Sequence, residues 1–454
     1  MNGTITELGF NSYLIDETKP QYSFFQHSYT NHHKFARETR RLEFNGKLTF
    51  GTRTSIRIDR NGRYGDLIKN MLLSINLPDL SNLTTNTGSS VGYTNSIGNA
   101  IIKEIVLRIG SNDIVTIPGE WLDIWSSLSI MGGKQDHYKY LVKDFGSQSV
   151  GNFMGGHINI PIFFWFCNFF NVNSRENMAL NLPLIALSTA EVEVIVELRQ
   201  IQDLLIYEDN SSLSAEQLAT LSIDIAELIT DYYILPEEER VKYLASDQRQ
   251  MYLISQVQHN IFPYSQNTPS IVANLRQFKY PISELVWVQR TNANKDANNY
   301  FNYTNSTLED LNRVPLYNTA RIMYDGRDRT DILRSDFFTQ NEPMRLHSNT
   351  DPRKQVSCFG YALDPEHIAQ PTGTCNFSYL HKPTLELSMS NNTGAGELHV
   401  FGISYNVLII DSKGNSWLMH DLTKSSPDSL PNTNTNTIER PINQIEQEQE
   451  EEEQ

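Results

Sequence analysis

Residues 191–199 read EVEVIVELR, and the alternation in that stretch decides the fold class. Val192, Val194, Val196 and Leu198 fall on one side, while Glu191, Glu193, Glu197 and Arg199 fall on the other, with Ile195 the exception. Side chains that change face at every residue mark a strand with one wet side. Ile105, Leu107 and Ile109 alternate in the same way with Glu104 and Arg108, Val106 being the exception. Thr54, Ile56 and Ile58 alternate with Arg53, Ser55, Arg57 and Asp59. A longer run places His399, Phe401, Ile403, Tyr405, Val407 and Ile409 on one side and Val400, Leu408 and Ile410 on the other, so it is expected to be buried on both faces for part of its length. Asn61-Gly62, Gly110-Ser111-Asn112-Asp113, Asp325-Gly326 and Lys413-Gly414-Asn415 separate such runs and supply the positive φ that tight turns need. Many short strands punctuated in this way point to all-β sandwiches or barrels.

Helices are expected to be few and short. Residues 236–247 (PEEERVKYLASD) carry Pro at the first helical position and three glutamates in the first turn, both suited to the positive end of the helix dipole. Val241, Leu244 and Tyr243 give this helix a narrow apolar face. It sits midway along the chain and reads as a hinge between two domains. Residues 118–128 form a second candidate, because Trp121, Ile124, Trp125 and Leu128 are spaced for one helical face. Two domains also follow from length, since 454 residues exceed the roughly 250–300 at which a single core stops growing. A loose internal echo agrees. Residues 107–110 (LRIG) and 321–326 (RIMYDG) each run into an acidic turn, and residues 183–187 (PLIAL) echo 383–387 (PTLEL). These offsets of about half the chain point to duplication.

Composition narrows the function. The chain is 39% hydrophobic and 20% charged, a globular mixture, with a formal charge of -16. Residues 423–454 hold two basic against eight acidic side chains, and this low-complexity tail is expected to be disordered. A globally acidic chain is poorly suited to wrapping nucleic acid. Three cysteines without C-x-x-C spacing argue against a disulfide scaffold or a cysteine-based zinc site and point to a reducing compartment. Residues 1–9 lack the apolar core of a signal peptide. The most apolar stretch, residues 158–170 (INIPIFFWFCNFF), is interrupted by Asn159, Pro161 and Asn168 and falls short of the ~20 residues that a spanning helix requires. Its aromatics read as core or subunit interface rather than as a membrane-dipping loop.

Motifs that carry chemistry are absent: no phosphate loop, no dinucleotide fingerprint, no G-x-S-x-G elbow and no H-E-x-x-H. His27, His32 and His33 could be imagined as metal ligands, but adjacent histidines on a strand point to opposite faces, and a solvated arm explains them better. Asp364 and Glu366 lie near Cys358 and His367 in sequence, an arrangement that resembles acid–base equipment but is explained by an Asp-Pro turn. The expectation is therefore no catalytic residue, no cofactor and no metal. Residues 34–69 hold ten Lys or Arg against four Asp or Glu. This excess could meet phosphate headgroups or an acidic partner, although the alternation of Arg53 and Arg57 favours outward strand positions. Among the N-x-[ST] sequons, Asn302 and Asn305 lie in an Asn-rich stretch, residues 291–307, that reads as an exposed loop and makes them the candidate glycan sites.

Taken in order, several blocks resemble the major capsid proteins of nucleocytoplasmic large DNA viruses. They are Phe50-Gly51-Thr52-Arg53 and residues 58–64 (IDRNGRY); residues 98–103 (GNAIIK) with 119–125 (GEWLDIW); and residues 161–167 (PIFFWFC) with 182–187 (LPLIAL). Tyr232-Tyr233-Ile234-Leu235, residues 361–366 (YALDPE), residues 370–378 (QPTGTCNFS) and Tyr405-Asn406-Val407-Leu408 complete the series, which spans about residues 37–422. The Asn-rich insertion and the acidic tail are not family motifs. The resemblance implies an all-β fold of two consecutive eight-stranded jelly rolls, a double jelly roll with few short helices. It divides the chain into an arm (1–36), a first roll (37–235), an interdomain helix (236–248), a second roll (249–422) and the tail (423–454). It further implies a structural protein that forms a homotrimer, a pseudo-hexameric capsomer, and tiles an icosahedral virion shell around an internal membrane after assembly in the host cytoplasm. The implied partners are neighbouring capsomers, minor capsid proteins and the membrane surface, with Arg37, Arg40 and Arg41 as candidate inner-partner contacts. A spike, penton or carbohydrate-binding attachment protein would share the fold class but needs an exposed aromatic platform. A β-sandwich hydrolase needs a catalytic cleft that the motifs do not supply.

Overall fold

The computed structural model of the chain describes residues 32, 34–59, 64–85, 87–167, 180–209, 212–244, 249–304, 314–391 and 393–420. The acidic tail and all of the arm up to residue 31 lie outside these residues, as do the Asn61-Gly62 turn, Phe169 and Phe170.

In the first half the main strands are β1 Ala36–Glu43, β2 Arg53–Ile58, β3 Leu67–Leu77, β4 Ile102–Ile109, β5 Asn112–Pro118, β6 Gly156–Pro161, β7 Val192–Leu198 and β8 Ile225–Ile234. They pair as two antiparallel sheets, β1-β8-β3-β6 and β2-β7-β4-β5. In the second half come β9 Gln250–Tyr264, β10 Ser270–Asn274, β11 Pro281–Thr291, β12 Tyr317–Tyr324, β13 Arg327–Asp328, β14 Ser357–Gly360, β15 Pro383–Met389 and β16 Gly396–Ile410. Their sheets run β9-β16-β11-β14 and β10-β15-β12-β13. Adding eight to each label of the first half reproduces the order of the second. Each half is thus an eight-stranded jelly roll, and the chain is a double jelly roll.

The duplication reaches into small details. Leu182–Pro183 adds a short pair to β3, and Cys375–Asn376 adds one to β11; a single 3-10 turn follows each. The counterpart of Pro183 is therefore at residues 375–376, whereas Pro383 begins β15, so the echo between 183–187 and 383–387 joins unlike elements. The other echo joins like with like. Gly110 (φ 62) turns the β4–β5 hairpin, and Asp325 (φ 53) with Gly326 (φ 78) turns its counterpart β12–β13.

Burial follows the alternation. Val192, Val194, Val196 and Leu198 are fully buried between the sheets of the first roll. Ile195 and Val106, the two breaks in the pattern, face each other across β7 and β4, forming one apolar cross-strand pair on the outward side. Strand β16 lies between β9 and β11, and most of its residues are buried on both faces. Phe164, Trp165 and Phe166 belong to the core.

Helix α1 spans Gly119–Ser129, where the Trp and Ile spacing places it, and α2 spans Gly132–Val142, which the periodicity does not reveal. Helix α3, Glu237–Leu244, is anchored to the first half by Arg240, 2.9 Å from Asp66. Its apolar face stays uncovered, with Val241 52% and Leu244 66% exposed.

Gly119 opens α1 because nothing larger fits. A Cβ there would stand 1.9 Å from the Ile102 carbonyl oxygen, which is backbone and cannot yield locally. Gly133 in α2 has nothing within 4 Å of its Cβ position. In urea denaturation, Gly119→Ala should cost more than about 2 kcal/mol through the forced backbone shift, while Gly133→Ala should be neutral or stabilising by roughly 0.5–1 kcal/mol. Equal effects at the two positions would contradict this packing.

Candidate functional site

No cleft with converging catalytic groups stands out among the described residues; the densest chemistry lies in the seam between the two rolls. Helix α1 supplies its first-roll side. Trp121 stacks on Trp125 at 5.5 Å and packs against Phe401 of β16 at 5.2 Å. Glu120, one residue earlier and buried, accepts from Arg199 at 2.7 Å and lies 3.5 Å from Arg290 of β11. Burial works against its charge, but Arg199, Arg290 and His399 hold its carboxyl at about 2. Arg290 continues to Glu397 (3.3 Å), which Lys295 also meets (2.9 Å). A turn further along α1, Asp123 accepts from Lys354 at 2.7 Å. Burial pushes Asp123 up to about 6 against the pull of Lys354. The Lys354 pKa is raised, since Asp123 and Asp144 outweigh its own desolvation.

The Asn-rich segment closes this seam. Short helix α4, Asn292–Asp296, begins it, and Tyr300, Phe301 and Tyr303 are then buried. The Arg199 guanidinium lies 4.4 Å over the Tyr300 ring, and Asn298 donates to Gln202 and Leu205 of the first roll at 2.9 and 2.8 Å. The expected exposed loop is thus corrected. Asn302 is 5% exposed, and its Oδ1 accepts from the Thr304 backbone and hydroxyl, so its side chain is not presented for a glycan. Asn305 lies outside the described residues.

A second buried cluster sits behind the seam. After helix α5, Glu342–Leu346, the His347 ring donates to Glu284 of β11 at 2.8 Å and to Glu366 at 3.2 Å. Burial disfavours its charge, yet the two carboxylates raise its pKa to about 10. Cys358 of β14 is fully buried beside Glu284, and burial raises its thiol. Glu366 therefore bonds His347 and Ser348 and serves as a structural acceptor. His27 and His33 lie outside the described residues.

Part of the basic excess of residues 34–69 is answered across strands. Arg53 faces Glu104 at 3.5 Å, Arg57 faces Glu191 at 3.3 Å, and Arg37 faces Asp231 at 2.9 Å. Arg37, Arg40 and Arg41 all lie on β1, an edge strand. The last two lie 2.5 Å from Glu38 and 3.7 Å from Glu227, and their side chains are 48% and 74% exposed.

Known proteins match this arrangement along its length. The family described as major capsid protein N-terminus matches residues 23–236, and that described as large eukaryotic DNA virus major capsid protein matches residues 239–414. The chain belongs to the major capsid proteins of large eukaryotic DNA viruses. The major capsid protein of Pyramimonas orientalis virus is 28% identical over 419 residues, 87% of this chain and 92% of that protein. That of Paramecium bursaria Chlorella virus 1 is 27% identical over 399 residues, 81% of this chain and 83% of that one. In fold, a chain of the PBCV-1 virus capsid superposes with a TM-score of 0.69 at 23% identity, covering 88% of this chain and 100% of that chain. The Faustovirus major capsid protein superposes at 0.68 and 12% identity, over 86% and 93% of the two chains. This capsid chain is a structural component of a virion shell, and its family is not one of enzymes.

For such a protein the seam is functional, because it fixes the relative placement of two rolls. Sequence reasoning missed it: Glu120 and Asp123 are far in the chain from Arg199, Arg290 and Lys354, and all five resemble surface charges. Lys354→Met should strand the buried Asp123 and cost about 3–5 kcal/mol in chemical denaturation, with Asp123→Asn added to it restoring part of the loss. A loss below 0.5 kcal/mol would show that the seam charge is solvated. His259 of β9, stacked on Phe401 at 4.3 Å and 3.1 Å from His399, has its pKa lowered to about 4, first by burial and then by His399. A base whose folded pKa is depressed contributes stability in full above the unfolded value near 6.5, and loses it as pH falls through 4. Between pH 7 and 5 it should remove about 2 kcal/mol, a slope that His259→Gln should flatten. An unchanged slope in that variant would refute the assignment.

Proposed function

We propose that three copies of this chain join into a capsomer of pseudo-hexagonal outline that tiles an icosahedral shell around an internal membrane. The duplication carries this reading. Two rolls of identical strand order per chain become six similar lobes around a threefold axis, so a trimer approximates a hexagonal tile. The unit of that tile is the chain divided at the interdomain helix into rolls 37–235 and 249–422. Sheet pairings confined to each half support that division.

Surface chemistry supports self-association. Leu363 (84% exposed), Tyr379 (80%), Tyr140 (74%) and Met344 (74%) present large apolar groups that a lone chain leaves in water. The exposed arginines of β1, Arg37, Arg40 and Arg41, offer an edge to minor capsid proteins or to anionic headgroups. Cys167, Cys358 and Cys375 are free thiols, which suits assembly in the reducing host cytoplasm.

Native mass measurement of purified protein should give a particle of about three times 52.0 kDa that persists on dilution. A strict monomer at high concentration would overturn the capsomer reading.

A further inference from the structure

We propose that Glu284, His347 and Cys358 form a structural site for a zinc ion. Oxygen, nitrogen and sulfur donors from these three residues lie within 4.8 Å of one another. They come from different parts of the second roll: Glu284 from β11, Cys358 from the adjacent β14, and His347 from the segment leaving α5. All three side chains are sealed from solvent.

The hydrogen bonds assign the roles. Glu366 is fully engaged: its Oε1 accepts from His347 Nδ1 (3.2 Å) and from the Ser348 backbone (2.8 Å), and its Oε2 accepts from the Ser348 hydroxyl. Glu284 is not. Its Oε1 meets His347 Nε2 at 2.8 Å, but Oε2, buried in the same cluster, has only the neighbouring Cys358 thiol, a weak donor, to answer it. A buried carboxylate oxygen answered by a thiol alone is poorly compensated in a dry interior. A cation bound by both Glu284 oxygens, His347 Nε2 and Cys358 Sγ removes that cost and completes four donors. Glu366 then plays the part commonly taken by an outer carboxylate, holding the ligating imidazole by its other nitrogen and fixing its tautomer.

The donor set selects the metal. A thiolate with imidazole and carboxylate suits zinc, whereas magnesium and calcium prefer oxygen alone. Zinc bonds of about 2.0–2.3 Å require the donors to draw together by roughly 1 Å and the His347–Glu284 hydrogen bond to give way. Binding releases the Nε2 proton and the thiol proton as the ion takes their place. The ion would staple β11, β14 and the segment whose Lys354 crosses the seam to Asp123.

The test uses the full chain, expressed with zinc or with cobalt and freed of loose metal by gel filtration. Elemental analysis should find about one zinc per chain. The cobalt form should show a thiolate-to-cobalt charge-transfer band. Cys358→Ser and His347→Gln should each reduce bound metal at least tenfold, while Glu366→Gln should weaken affinity by roughly 10–100-fold without removing the band. Zinc below a tenth of an equivalent in the wild-type chain would overturn the proposal. So would bound cobalt with no thiolate band, a readout that needs no variant to fold. Metal content unchanged in Cys358→Ser would place the ion elsewhere and likewise overturn it.

Discussion

One buried carboxylate constrains how the two rolls meet. Glu120 stands at the head of α1, out of water, and shares its charge between Arg199 of the first roll and Arg290 of the second. Such a network need not add net stability, because desolvation consumes much of the Coulombic gain. Its effect is on geometry: displacing either roll strands a charge in a low-dielectric seam, which is far more costly than breaking an exposed pair. The same constraint explains why Tyr300 folds inward, since its ring covers both guanidinium groups that Glu120 holds.

The seam also uses the duplication. Helices α1 and α2 occupy the connection from β5 to β6, and α5 with His347 and Lys354 occupies the equivalent connection from β13 to β14. These two connections face each other. Lys354 reaches Asp123, Asn349 donates its backbone N–H to Leu128 at 2.9 Å, and Trp125 meets the His347 ring edge-on at 5.9 Å. Two copies of one roll thus differ mainly in what their matching connections carry. Those differences make the join specific, while the sheets themselves stay alike.

Local physics was legible in the chain before any coordinates. Period-two alternation located β2, β4, β7 and β16, and even its exceptions, Ile195 and Val106, had a single cause as cross-strand neighbours. The interior of the seam was not legible, because its charges pair over 79 to 231 residues of sequence and nothing local distinguishes them from surface charges. Asparagine content misled the reading of residues 291–307, although three aromatics within Tyr300–Tyr303 were the available sign of burial. For the basic region, the alternation of Arg53 and Arg57 pointed to outward strand positions, but their partners were not legible, since Asp231, Glu104 and Glu191 arrive from other strands. His347 and Glu284, 63 residues apart, match no motif spacing and become a cluster only through the sheet.

If the seam makes one body of two rolls, they should lose structure together. Scanning calorimetry at neutral pH, compared with hydrogen exchange in β7 and β15, tests this most directly. The account predicts one cooperative transition and a common opening free energy for these central strands of the two rolls. Two separated transitions, with one roll exchanging fully while the other stays protected, would contradict it.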